Sequence, residues 1–227
     1  MIKKEAEKKR KKGETKIKEK KKRYAVLKHI VEEFSGEMGK ERPRRTTISK
    51  IFEELYHYAT RDQLTGVFNR RSLDEALTHE VMQALRAGMP LSAIMIDIDH
   101  FKEYNDRFGH HQGDIAIKSV TSIIQKRIRE GDFAARYGGE EFVIVLPNST
   151  VKQAKEIAER IRKEVMNAAI KPCRNDLPPG YEKVTISLGV ASLQKEDGRN
   201  IMYDADKALY EAKRQGRNRV CAVYPGE

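Results

Sequence analysis

The 227-residue chain is 39% hydrophobic and 35% charged, and its formal charge of +11 is unevenly placed: residues 1–23 hold thirteen Lys/Arg against four Glu, leaving +2 for residues 24–227. Two cysteines, Cys173 and Cys221, with no C-x-x-C spacing and no His/Cys cluster, argue against a disulfide framework or a zinc site. No apolar run approaches the roughly 18–20 residues of a membrane span and no signal-peptide core is present, so the chain reads as soluble and cytoplasmic, with no transmembrane segment.

Residues 1–23 form a low-complexity, Lys-rich tail whose self-repulsion keeps it extended or loosely helical. Residues 24–61 carry two amphipathic patterns. Leu27, Ile30, Val31 and Phe34 recur at helical steps before the break SGEMGKERPRRTT. Thr47 then caps a second pattern with Ile48, Ile51, Phe52 and Leu55 on one face. Neither helix buries its stripe alone, so this segment reads as a stalk or dimer contact.

Residues 62–227 form the body. RSLDEALTHEVMQALRAG is a helix ending at Gly88 and Pro90. LSAIMIDI is a strand buried on both faces. HQGDIAIKSVTSIIQKRIRE is a helix with Ile117, Val120, Ile124 and Ile128 on one side. FAARY-GG-EEFVIVL reads as a hairpin with a two-residue Gly-Gly turn, where positive φ is cheap. STVKQAKEIAERIRKEVMNA is a capped helix, VTISLGVASL a strand, NIMYDADKALYEAKRQ a helix stopped by Gly216, and RVCAVY a closing strand. This order predicts an α/β (α+β) fold, a mixed central β-sheet flanked by helices, behind an N-terminal helical stalk.

Two acidic clusters stand out. Asp97 and Asp99 alternate with apolar neighbours at the end of a buried strand, so both point to one face. Buried carboxylates are costly unless paired or bound to metal, although a lone Asp at a strand end also suits a cap. Glu140 and Glu141 follow Gly138 and Gly139; a turn in the same sheet brings Glu140 beside Asp97 and offers hard oxygens to Mg²⁺. The glycines let the backbone approach a phosphorylated ligand. The pattern suggests metal-assisted phosphoryl or nucleotidyl transfer, with a solvated acidic turn as the bland alternative.

DQLTGVFNRR at 62–71, IDIDHFKEYNDRFGHHQGD at 96–114, RYGGEEF from Arg136 and ADKALYEAKRQGRN at 205–218 occur in one order and span nearly the whole body. Together they resemble the GGDEF family of diguanylate cyclases, in its GGEEF variant. The resemblance implies a fold related to nucleotide cyclases. It also implies condensation of two GTP molecules into cyclic di-GMP and two pyrophosphates, between two domains that face each other as a homodimer. Carried over by position, Asp97, Glu140 and the backbone carbonyl of Ile98 resemble the ligands of Mg²⁺, or of Mn²⁺ in its place. Glu141 is similar to an acid that serves metal or proton. Asn105 and Asp114 resemble guanine readers, a carboxylate there favouring GTP over ATP. Phe101, Lys102, Lys213 and Arg217 resemble phosphate contacts. His110 reads as packing its loop, and Asp62, Arg70 and Arg71 as ion pairs with the hairpin side.

Arg129 and Asp132 fit the family's RxxD inhibitory pattern, with Arg160 as its second arginine, which implies cyclic di-GMP as inhibitor as well as product. Guanidinium groups suit the stacking and bidentate hydrogen bonding of a cyclic dinucleotide; a surface ion pair is the plain alternative. Two rival functions stay open: a nucleotide receptor without turnover, and a Lys-rich tether to nucleic acid or anionic membrane. The tail lacks interleaved aromatics, so no specific nucleic-acid partner is expected. Nothing in residues 1–61 resembles a sensory domain.

Overall fold

The computed structural model describes residues 54–193 and 201–224. The Lys-rich tail and most of the expected stalk lie outside these residues; of the stalk, residues 54–60 are described and helical. The chain divides into two compact units, Met1–Ala59 and Thr60–Glu227, and the second holds everything that follows. Among the described residues, no helix is long and apolar enough to cross a membrane.

The elements run β1 (Phe68–Asn69), α1 (Arg70–Ala87), β2 (Leu91–Ile98), α2 (Phe101–Phe108), α3 (His110–Arg127), β3 (Phe133–Arg136), β4 (Glu141–Pro147), α4 (Val151–Asn167), β5 (Ile186–Ser192), α5 (Ile201–Arg214) and β6 (Val220–Ala222). The strands form one mixed sheet in the order β1-β3-β4-β2-β5-β6. β2 pairs antiparallel with both β4 and β5 at the centre, while β1–β3 and β5–β6 are parallel. This is the expected mixed sheet flanked by helices.

Strand parity sorts the core into two layers. Ile94, Ile96 and Ile98 on β2, with Phe142, Ile144 and Leu146 on β4, pack beneath Ile117, Val120 and Ile124 of α3 and Ala154, Ala158 and Ile161 of α4. The alternate row, Leu91, Ala93 and Met95 with Val143 and Val145, meets Leu73 of α1 and Ala205 and Leu209 of α5. Each large side chain so enclosed contributes about 1.5–3 kcal/mol. Gly189 on β5 determines how close α5 comes. A Cβ there would collide with the Ala205 carbonyl and the Leu209 amide, which are backbone and cannot swing aside. The helix therefore lies directly on the sheet, with its C-terminal end over the end of β2.

Local signals set most boundaries. α1 stops at Gly88, left-handed at φ 64°, whose N–H returns to the Ala84 carbonyl. α4 starts from a reciprocal capping box between Thr150 and Gln153. Two expectations need correction. α3 ends at Arg127, and Ile128 is already extended at φ −95°, ψ 149°. The Gly-Gly pair does not make a two-residue turn: Tyr137 to Glu140 separate β3 from β4, and neither glycine has a positive φ. The short helix α2, not among the expected elements, buries Phe101, Tyr104 and Phe108 at i, i+3 and i+7.

Candidate active site

The parity of β2 places Asp97. It continues the row Leu91, Ala93, Met95, so its side chain faces the α1/α5 layer at the open end of the sheet. Its Cα partner across the ladder is Glu141, which puts the two carboxylates on the same face. The Ile98 N–H donates to the Glu140 carbonyl at 3.3 Å, so the acidic turn is stitched to the end of β2. From α5, Lys213 reaches Asp97 with 2.9 Å between Nζ and Oδ2. The positive charge of Arg217 also acts on Asp97.

These groups do not balance. Burial pushes the Asp97 carboxyl above the usual carboxylate range; the Lys213 hydrogen bond and charge pull it back, and the Asp99 charge adds to the rise. Glu140 is also raised, by burial first and then by the Asp97 charge, with Lys213 opposing and Glu141 adding. One ammonium thus serves a mouth with three carboxylates. Asp97 and Glu140 are hard oxygen donors that repel one another, and a small divalent cation relieves that repulsion, so the donor set fits Mg²⁺. Among the described residues no group of three or more His, Cys, Asp or Glu converges on one point. The protein accordingly offers a partial shell, the arrangement Mg²⁺ takes when water and substrate phosphates complete it.

The turn itself is held by arginines. Arg136 donates to the Gly139 carbonyl at 2.6 Å and to Asp62 at 3.1 Å. Arg70 donates to the Tyr137 hydroxyl at 3.0 Å and stacks on its ring. Asp62 thus makes the expected ion pair with the hairpin side, whereas Arg70 braces the turn through the Tyr137 ring and hydroxyl rather than an ion pair. Arg71 does not: it pairs with Glu75 on its own helix at 3.1 Å. The role of Gly138 also differs from the expected one. A Cβ there would strike the Glu141 carboxylate, so the glycine makes room for that side chain to fold back over the turn.

Asp99 parts company with Asp97. It accepts hydrogen bonds from Ser187 Oγ at 2.6 Å, Thr185 Oγ1 at 2.7 Å and the Asn218 N–H at 3.0 Å. Arg217 and Asn218 both have positive φ, 61° and 45°. Asp99 therefore clamps the strained turn that carries Arg217 beside the mouth. Sequence reading gave Asp99 no such task, because its partners lie some ninety and more positions away.

On the neighbouring pair of helices, Asn105 of α2 lies against Gly113 of α3, where a Cβ would overlap its amide oxygen. That Oδ1 is buried without a hydrogen-bond partner, and Asp114, the next residue, is exposed. Phe101 is buried and Lys102 exposed in the first turn of α2, which has no side-chain cap. His110 and His111 stand exposed at the start of α3 rather than packing a loop.

Arg129 and Asp132 meet elsewhere, at the turn between α3 and β3. Asp132 accepts the Arg129 N–H at 3.0 Å and its Nε at 3.3 Å. The same guanidinium donates to the Pro147 carbonyl at 2.8 Å and to Ser149 Oγ at 3.1 Å. Arg160 is exposed on α4 and borders a groove of about 890 Å³ shared with Lys126, Arg127 and Lys163. No hydrogen bond or ion pair joins it to Arg129 or Asp132.

With this geometry in view, the family model described as "Diguanylate cyclase, GGDEF domain" matches residues 59–219. The chain is similar to diguanylate cyclase DgcP of Pseudomonas aeruginosa, 40% identical over 169 residues that cover 74% of this chain and 24% of that protein. It resembles the solved coiled coil and GGDEF domain of DgcB from Caulobacter crescentus in complex with c-di-GMP, at 33% identity and TM-score 0.73, covering 87% of this chain and 99% of that one. It also resembles the active GGEEF domain of a diguanylate cyclase from Vibrio cholerae, at 39% identity and TM-score 0.63, covering 70% and 97%. The chain spans less than half the length of several curated relatives it matches.

Proposed function

From the premise that this chain belongs to the GGDEF family, we propose that it is a diguanylate cyclase, condensing two GTP into cyclic di-GMP with release of two pyrophosphates. The observation that carries this reading is the unbalanced mouth: Asp97 and Glu140, both raised by burial, converge at the end of β2 with Lys213 as their shared counter-charge.

Asp97, Glu140 and the Ile98 carbonyl would hold Mg²⁺, or Mn²⁺ in its place. The bound cation supplies Lewis-acid stabilisation of charge on the reacting oxygens. Glu141, folded against Gly138, is placed to accept the proton of the attacking 3′-hydroxyl or to join the metal shell. Lys213 turns from Asp97 toward the triphosphate, where Lys102, Arg217 and the open amides near Phe101 also bind. Asn105 Oδ1 takes a donor from the guanine edge, which supplies the partner it lacks. Asp114 accepts from N1–H and the 2-amino group, a pair of donors adenine does not present. Each domain holds one GTP, so ring closure needs two facing copies, brought together by the catalytic domains and the N-terminal helices. Cyclic di-GMP then binds at Arg129, Asp132 and Arg160 and holds the copies apart.

Incubation with GTP and Mg²⁺ at several protein concentrations tests this. Cyclic di-GMP formation whose specific activity rises with concentration is expected, and Glu141→Ala should abolish it in a folded protein. Binding of GTP without pyrophosphate release would instead identify a receptor.

A further inference from the structure

Residues 168–185 connect α4 to β5 without helix or strand. Irregular stretches longer than about 12–15 residues are uncommon in a compact domain. This one closes on itself, the Ile170 N–H donating to the Glu182 carbonyl at 2.9 Å. Ile170 and Val184 enter the core and Thr185 bonds Asp99, while the polar ties that residues 171–181 make to the rest of the domain lead to α2 and α3. Gln112, wholly buried in the first turn of α3, donates to the Lys171 carbonyl at 3.0 Å and to the Tyr104 hydroxyl at 3.3 Å. Its amide oxygen accepts the Cys173 N–H at 2.8 Å. On α2, the Tyr104 hydroxyl donates to the Tyr181 carbonyl at 2.7 Å, and Arg107 to the Pro179 carbonyl at 3.0 Å.

The two helices so gripped are joined by a single residue, Gly109, at φ 86° and ψ 154°. A lone glycine with positive φ is a soft joint, and it does not by itself fix the angle between α2 and α3. Asn105 sits on one side of that joint; Gly113 and Asp114 sit on the other, directly after Gln112. The strap is bonded to both sides through Tyr104 and Gln112. We infer that Gln112 is a positioning residue for base recognition: by clamping the 168–185 strap across the Gly109 joint, it sets the spacing at which Asn105 and Asp114 meet a guanine edge. This rests on the diguanylate cyclase reading above.

The test uses the full chain carrying Gln112→Met, which keeps the length and removes the amide. Binding of 3′-deoxy-GTP, 3′-deoxy-ITP and 3′-deoxy-ATP is measured by calorimetry, since analogues without the 3′-hydroxyl cannot condense. Amide hydrogen exchange is followed at Cys173, and KM and kcat for GTP are measured alongside. The variant should exchange faster at Cys173 and bind the guanine analogue about tenfold more weakly, within the loss a small misplacement produces. The adenine analogue should hardly change, and the loss should fall on KM rather than kcat. Tyr104→Phe, which removes only one hydroxyl, should shift the same quantities in the same direction by less, and it stands in if Gln112→Met fails to fold. Faster exchange at Cys173 with unchanged guanine preference, or an equal loss for all three analogues, would make Gln112 a structural anchor only. Failure of the unmodified chain to prefer guanine would overturn the underlying reading instead.

Discussion

Two corners of one domain set acid beside base, and they come out differently. At the α3–β3 turn, Asp132 has a side chain only 1% exposed and is answered by both the N–H and the guanidinium of Arg129, which continues to Pro147 and Ser149. The Asp132 charge is thus answered within the chain, while the Arg129 side chain stays largely exposed. At the end of β2, Asp97 and Glu140 share Lys213 with Glu141 close by, and burial keeps the first two carboxyls above their ordinary range. The first arrangement is local, three residues apart and held by Gly131 at φ 92°. The second is made by register and by the approach of α5 over Gly189. Charge left unbalanced at a sheet end is a cost the fold tolerates where a ligand is to bind.

The contrast breaks most easily at the mouth. Asp97→Ala or Glu140→Ala should lower cyclase activity by at least about 10²–10³-fold, the scale for removing a group that stabilises transition-state charge. Neither should lower the melting temperature of the nucleotide-free protein much, since each removes a carboxylate that burial and its neighbours disfavour. A collapse of the fold in both variants would show that the mouth is structural.

Arg129→Ala should do the reverse. Activity at low product concentration should persist, while denaturant unfolding should show a loss of about 1–2 kcal/mol from the unmade hydrogen bonds around buried Asp132. Inhibition by added cyclic di-GMP should weaken. Inhibition that survives unchanged would leave this corner a structural pair alone.

The smallest effect is a pH dependence with a definite sign. Glu140 has a folded-state pKa above its unfolded one, so its contribution to stability is full below the ordinary carboxylate range and is lost as pH rises through the folded value. Glu140→Gln should therefore match the parent protein in acid and melt slightly higher near neutrality, and added Mg²⁺ should narrow that gap. A melting difference independent of pH would contradict the repulsion between Glu140 and Asp97.

Much of this was legible in the sequence. β2 showed itself as a nearly unbroken apolar run, and α1 and α4 through Gly88 and Thr150. The acids of the mouth were visible too, since Asp97 stands within an apolar strand and Glu140 behind two glycines. What was hidden is tertiary. Gly138 looked like a residue chosen for positive φ, yet its φ is not positive and the Glu141 carboxylate folds back over it. Asp99 looked like a twin of Asp97, yet Thr185, Ser187 and Asn218 claim it. Gln112, buried and bonded to a strap about sixty positions further on, left no local signature at all.

The central claim is tested most directly by product analysis of GTP incubated with Mg²⁺, the unmodified chain beside Asp97→Ala. The account predicts cyclic di-GMP with two pyrophosphates for each ring closed, and neither product from the variant. GDP and phosphate as the products, or equal product from Asp97→Ala, would contradict it.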